Sequence, residues 1–109
     1  MNNLFSIPAE LPRPEEYSEI LARSGDVTVE RIISHGHTTP PGAWYDQEKD
    51  EWVALLQGEA RLTFSDGSGL GMGAGDWAFI PAHQRHRVDQ TSIDPPCIWV
   101  AIHLPSHST

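Results

Sequence analysis

The chain has one cysteine, Cys97, in 109 residues. A lone thiol forbids an intrachain disulfide and any zinc site built from clustered cysteines. Long apolar runs are missing too. The longest, Trp52 to Leu56, Trp77 to Ala82 and Cys97 to Ile102, reach five or six residues, where a membrane-spanning helix needs about 20. Positive charge is scarce: 7 Lys and Arg stand against 15 Asp and Glu, a net charge of -8 with the histidines neutral. A phosphate backbone or an anionic bilayer is repelled, so neither nucleic acid nor membrane is expected as a partner. The N-terminus carries prolines and glutamates in place of a basic start and an apolar stretch, so no signal peptide is visible and a cytoplasmic location is expected. What is there, 39 % hydrophobic and 20 % charged, suits one globular domain.

Residues 1–26 read as an arm packed against the domain or a partner. Pro8, Pro12 and Pro14 keep its opening extended. The stretch from Pro14 to Ala22 predicts a short helix, with proline and two glutamates in the first turn and Tyr17, Ile20 and Leu21 at i, i+3, i+4 spacing. From Val27 onward short strand signals recur with turn chemistry between them: Val27 to Ile33, Glu51 to Gln57, Ala60 to Phe64, Trp77 to Ile80, Arg85 to Val88 and Ile98 to His103. Ser65 to Gly69 reads as a hairpin turn and Gly71 to Asp76 as a second glycine-rich connection. The pattern predicts an all-β antiparallel sandwich or barrel over residues 27–104, with 105–109 as a flexible tail. The glycine run 71–75 precedes a strand and not a helix, so it is no dinucleotide loop. Cys97, without a basic neighbour, reads as inert packing.

Six histidines are present. His35 and His37 flank Gly36 on the parity of Val27, Val29 and Ile33, so both are expected to be able to point inward. His83 and His86 lie in Pro81-Ala82-His83-Gln84-Arg85-His86. His103 ends the last strand, on the face of Trp99 and Ala101, and His107 lies in the tail.

Two segments carry a family resemblance. Glu51-Trp52-Val53-Ala54-Leu55-Leu56-Gln57-Gly58 is a glutamate, six residues, then glycine. Gly75-Asp76-Trp77-Ala78-Phe79-Ile80-Pro81, followed five residues later by His86, is the second. Both spacings, in this order, resemble the two motifs of cupins and together span about residues 44–90. The resemblance implies a small single-domain cupin with a jelly-roll β-barrel. Three departures stand out. Metal-binding cupins carry His-x-His three or four residues before the motif glutamate, and here those positions hold Tyr45 and Gln47, or Trp44 and Asp46. His83 occupies a glycine position of the second motif, and Gln90 replaces its asparagine.

With that resemblance, a metal site would be built from nitrogen and oxygen donors: His86, Glu51, and Asp46 or Gln47, with His83 or His103 as a second nitrogen. Such a set suits a divalent ion, Fe, Mn, Ni or Zn. Trp44, Tyr45, Trp52, Trp77, Phe79 and Trp99 are available to line the pocket. If the protein is an enzyme, Tyr45 or His103 would handle protons. The expected function is to bind a divalent metal in the barrel and to act on, or sense, a small polar molecule. The competing reading is a metal-free cupin whose pocket, made by Trp44, Tyr45, Arg85 and Arg87, takes a sugar or carboxylate without turnover. A third is a pure dimerisation module. No motif singles out a reaction, since this fold hosts many. An exposed sheet edge is a hazard that pairing removes, so a homodimer involving the arm is expected.

Overall fold

The computed structural model describes residues 2–11 and 16–106. Eight strands follow one another: β1 (Tyr17–Ser24), β2 (Val27–Ser34), β3 (Asp50–Gln57), β4 (Ala60–Phe64), β5 (Gly69–Met72), β6 (Trp77–Ile80), β7 (His86–Thr91) and β8 (Cys97–Leu104). They form two antiparallel sheets, one in the order β1-β2-β8-β3-β6 and one in the order β5-β4-β7. No helix among the described residues is long and apolar enough to cross a membrane.

Alternation builds the core. On β3, Glu51, Val53 and Leu55 face inward while Trp52 faces out. Val53, Leu55, Leu62, Met72, Ile80 and Trp99 pack together between the sheets, joined by Cys97 with no exposed surface. Burying such side chains contributes about 1.5–3 kcal/mol each, so the two inner faces hold the sheets together.

The helix expected from Pro14 to Ala22 is not formed. From Tyr17 on, this segment is β1, paired with β2 from Tyr17↔Ile33 to Ser24↔Val27; Pro14 and Glu15 lie outside the described residues. A nine-residue helix is marginal by itself, whereas the strand gains a ladder along all of β2. The i, i+3, i+4 apolar set does not form a buried face: Ile20 and Leu21 stay exposed beside the bulge between Ile20 and Ala22. Ahead of it, the N-terminal segment docks on the outer face of the large sheet. The Arg31 guanidinium donates to the carbonyls of Leu4 at 3.0 Å and Ser6 at 2.6 Å and pairs with Glu19. Strand β5 is an addition that the glycine-rich sequence reads as turn.

Candidate functional site

A cavity of about 150 Å³ opens between the two sheets. Its apolar wall is Ile32, Val53, Leu62, Ile80, Val88 and Trp99. Its polar groups are Glu16, Glu30, Ser34, Tyr45, Gln47, Glu51 and His86. A closed cavity of roughly this volume takes a benzene-sized molecule; this one is open at its mouth, so the part of a ligand that enters it is small.

His86 opens β7 and turns inward, 5 % exposed. Its backbone forms an isolated bridge with Tyr45: Tyr45 N–H donates to the His86 carbonyl at 2.7 Å, and His86 N–H returns to Tyr45 at 3.2 Å. The bridge lays the Tyr45 ring on the imidazole, centroids 5.4 Å apart. His86 Nδ1 lies 2.9 Å from the Gln84 carbonyl. A carbonyl accepts only, so the proton belongs on Nδ1 and Nε2 presents its lone pair. Nε2 faces Glu51 Oε1 at 3.8 Å, with both side chains buried. Glu51 accepts no hydrogen bond among the described residues. Two acceptors facing each other at the cavity wall favour a proton or a cation between them.

Burial pushes the Glu51 carboxyl above its ordinary value; His103 and His86 pull it back, and Glu30 adds to the rise. His103 is the register partner of Glu51 on β8. Its Nε2 lies 2.8 Å from Glu30 Oε1, and that hydrogen bond holds the imidazolium above its usual value against the opposing effect of burial. Burial, followed by the charge of Glu16, raises the Tyr45 hydroxyl, with a hydrogen bond to Thr39 opposing. At neutral pH Tyr45 is therefore a proton donor.

Of the residues predicted as ligands, Glu51, His86 and Gln47 meet at the cavity. Asp46 and His83 are placed elsewhere, on the rim, where His83 Nδ1 lies 2.7 Å from Asp46 Oδ1 and both side chains are largely exposed. The loops are laced together there: His83 N–H donates to the Gln47 carbonyl at 2.8 Å and Ala82 N–H to Asp50 at 2.7 Å. His83 itself has φ 65, the left-handed region that explains a glycine at this motif position. His103 stands behind Glu30. Among the described residues no group of three His, Cys, Asp or Glu side chains is arranged to hold a metal ion.

Several expected lining residues face away. Trp52 stacks on Trp77 outside the barrel, with centroids 6.1 Å apart, and Phe79 shares that outer face. Tyr45 and Trp99 are the two expected aromatics that do line the cavity. Arg85 and Arg87 flank His86 in sequence, so they emerge on the opposite face of the chain and lie over Trp44 at 5.7 and 5.8 Å. The predicted pocket of Trp44, Tyr45 and the arginines is thus divided by the barrel wall. The inward parity of β2 is Glu30, Ile32 and Ser34, opposite to Val29 and Ile33, so the parity expected to carry His35 and His37 inward faces out. The His35 N–H donates to His37 Nδ1 at 2.9 Å, past the strand end. Glu16, Glu30 and Ser34 escape sequence reasoning because polar residues flanking one isoleucine read as a solvated face.

The model of the cupin domain matches residues 27–103. A protein of Ralstonia eutropha JMP134, titled as a candidate mannose-6-phosphate isomerase, is similar at 38 % identity with a TM-score of 0.87, the match covering 97 % of this chain and 98 % of that one. A cupin superfamily protein of Desulfitobacterium hafniense DCB-2 is similar at 24 % identity and TM-score 0.72, over 92 % and 84 % of the two chains. A DMSP lyase of Ruegeria pomeroyi DSS-3 shares the fold at 17 % identity and TM-score 0.70, over 86 % of this chain and 49 % of that one. No curated protein matches.

Proposed function

The chain belongs to the cupin domain family, and on that premise we propose that it binds a divalent metal ion between His86 and Glu51 and acts on, or senses, a small polar molecule in the same cavity. The observation that carries this is the pair of buried acceptors, Nε2 and Oε1, facing each other at 3.8 Å. The donor chemistry fits a divalent ion: one imidazole with its tautomer fixed by Gln84, one carboxylate, and the neutral amide of Gln47 on the same cavity wall. Bound there, the ion supplies Lewis acidity toward a small oxygen-bearing molecule.

The chain's own groups do the rest. Trp99 and Val53 exclude water from one side of the cavity. The Tyr45 hydroxyl, kept protonated, donates to a bound molecule, and stacking on His86 fixes the ring. His103 holds a proton against Glu30 and is the register partner of Glu51 on the neighbouring strand. The substrate named for the Ralstonia protein fits poorly here. No described Lys or Arg lines the cavity to receive a phosphate group.

Metal analysis by mass spectrometry, on untagged protein purified without chelators, tests the reading. Near-stoichiometric metal is expected in the parent and in His83→Ala, with loss in His86→Ala and Glu51→Ala. A second reading has a specific observation behind it: the raised Glu51 carboxyl can place a proton where the metal would sit, giving a metal-free binding protein. No metal in the parent and no uptake of Fe, Mn, Ni or Zn selects that one.

A further inference from the structure

A hydrogen-bonded chain on the cavity wall has no part in holding the metal. Trp99 Nε1–H donates to Ser34 Oγ at 3.1 Å, and Ser34 Oγ–H donates to Glu16 Oε2 at 3.0 Å. The indole and hydroxyl are buried, so they set the carboxylate of Glu16 at the cavity by way of groups that cannot easily move. Glu30, held by His103, lines the same space. The charged carboxylate lining is thus wholly acidic. None of the described Lys or Arg side chains lines the cavity: Arg85 and Arg87 lie over Trp44, Arg31 faces the N-terminal segment, and Lys49 Nζ donates to the Asp26 carbonyl.

We propose that the molecule this cavity takes is a small protonated amine, and that Glu16 is the residue that selects it. The inference deepens the proposed function and rests on its reading of the cavity as the binding site. An ammonium supplies three donors to a wall of acceptors. Its bonds to carboxylates are charge-assisted, roughly twice as strong as neutral ones. The faces of Trp99 and Tyr45 offer further attraction for a cation. Without the metal, an anion of the same size meets Glu16 and Glu30, and the His103 imidazolium beside them is already bonded to Glu30.

Three probes of similar size test the selection: 1-amino-2-propanol, propane-1,2-diol and lactate, titrated by NMR into protein as purified and after chelation. After chelation the amine is expected to bind about tenfold more tightly than the diol, with lactate weakest. Glu16→Gln should remove the amine's advantage over the diol while leaving metal content and melting temperature unchanged, since Glu16 stands at the cavity mouth outside the metal pair and the amide oxygen still accepts from Ser34. Lactate binding as tightly as the amine after chelation overturns the proposal. So does an unaltered amine preference in Glu16→Gln, or binding of none of the three. Amine selection that survives in a parent free of metal sinks the metal reading alone; metal without amine selection sinks this one alone.

Discussion

Glu51 and His103 sit opposite each other on β3 and β8, and both hold protons more tightly in the fold than in the unfolded chain. A native state that binds more protons loses stability as pH rises. For His103, raised chiefly by its hydrogen bond to Glu30, the stabilisation is fully present below the ordinary value of 6.5 and is lost as pH climbs through the higher folded value. Glu51 acts with the same sign from 4.5 upward, because ionising a buried carboxyl costs more inside than out. Chelator-treated protein should therefore melt at progressively lower temperature as pH is raised from 6.5. Glu30→Gln replaces the charged acceptor that holds the His103 proton with a neutral, weaker one, so its melting temperature should vary less over that window. Equal slopes in parent and variant would show that the pair does not set the dependence.

At the scale of elements, the glycines of the two motifs serve different ends. Gly58, between β3 and β4, has φ +92, and a Cβ there would lie 2.7 Å from Ser92 Oγ and 3.0 Å from the Cys97 backbone. Gly75, with φ +93, meets no atom within 4 Å. Gly75→Ala should cost the backbone strain alone, about 1–2 kcal/mol. Gly58→Ala adds an overpacked core contact, for about 3 kcal/mol or more. Thermal melts should rank the two accordingly, and equal losses would mean that the close approach of Ser92 and Cys97 relaxes cheaply. Alternation and turn chemistry, with the motif spacing, are why β2, β3, β4, β6, β7 and β8 are legible from sequence, along with the inward turn of Glu51. Strands β1 and β5 are not. The first is decided by pairing with β2 against a local helical pattern, and the second, Gly-Leu-Gly-Met, has little strand propensity beyond its ladder to β4. The site is legible in part for a similar reason. Glu51 and His86 follow from spacing, whereas the pairing of Asp46 with His83, and the entry of Glu16 and Glu30, depend on how two loops and β1 close over the barrel.

Across the whole molecule, apolar surface is gathered on the outer face of the large sheet. Strand register sets Val100, Ala54 and Trp77 in one row across β8, β3 and β6, and Ile102, Trp52 and Phe79 in the next. Trp77 is 62 % exposed and Phe79 49 %, and β6 is the edge of its sheet. A continuous apolar face ending in an edge strand is suited to a second copy, because an antiparallel edge is self-complementary about a two-fold axis. The two rings alone expose roughly 250 Å². A stable pair needs about 800 Å² per partner, so the rows on β3 and β8 must be covered as well. The net charge of -8 opposes association at long range, but a Debye length of about 8 Å at physiological salt limits that repulsion to close neighbours. We therefore expect light scattering to give twice the 12.1 kDa chain mass, more fully as salt is raised. Trp77→Arg should return the single-chain mass with little change in melting temperature, since the ring faces away from the core. A single-chain mass for the parent at micromolar concentration and physiological salt would refute the pairing. A dimer that persists in Trp77→Arg would move it to another face, with the β1 edge next in line.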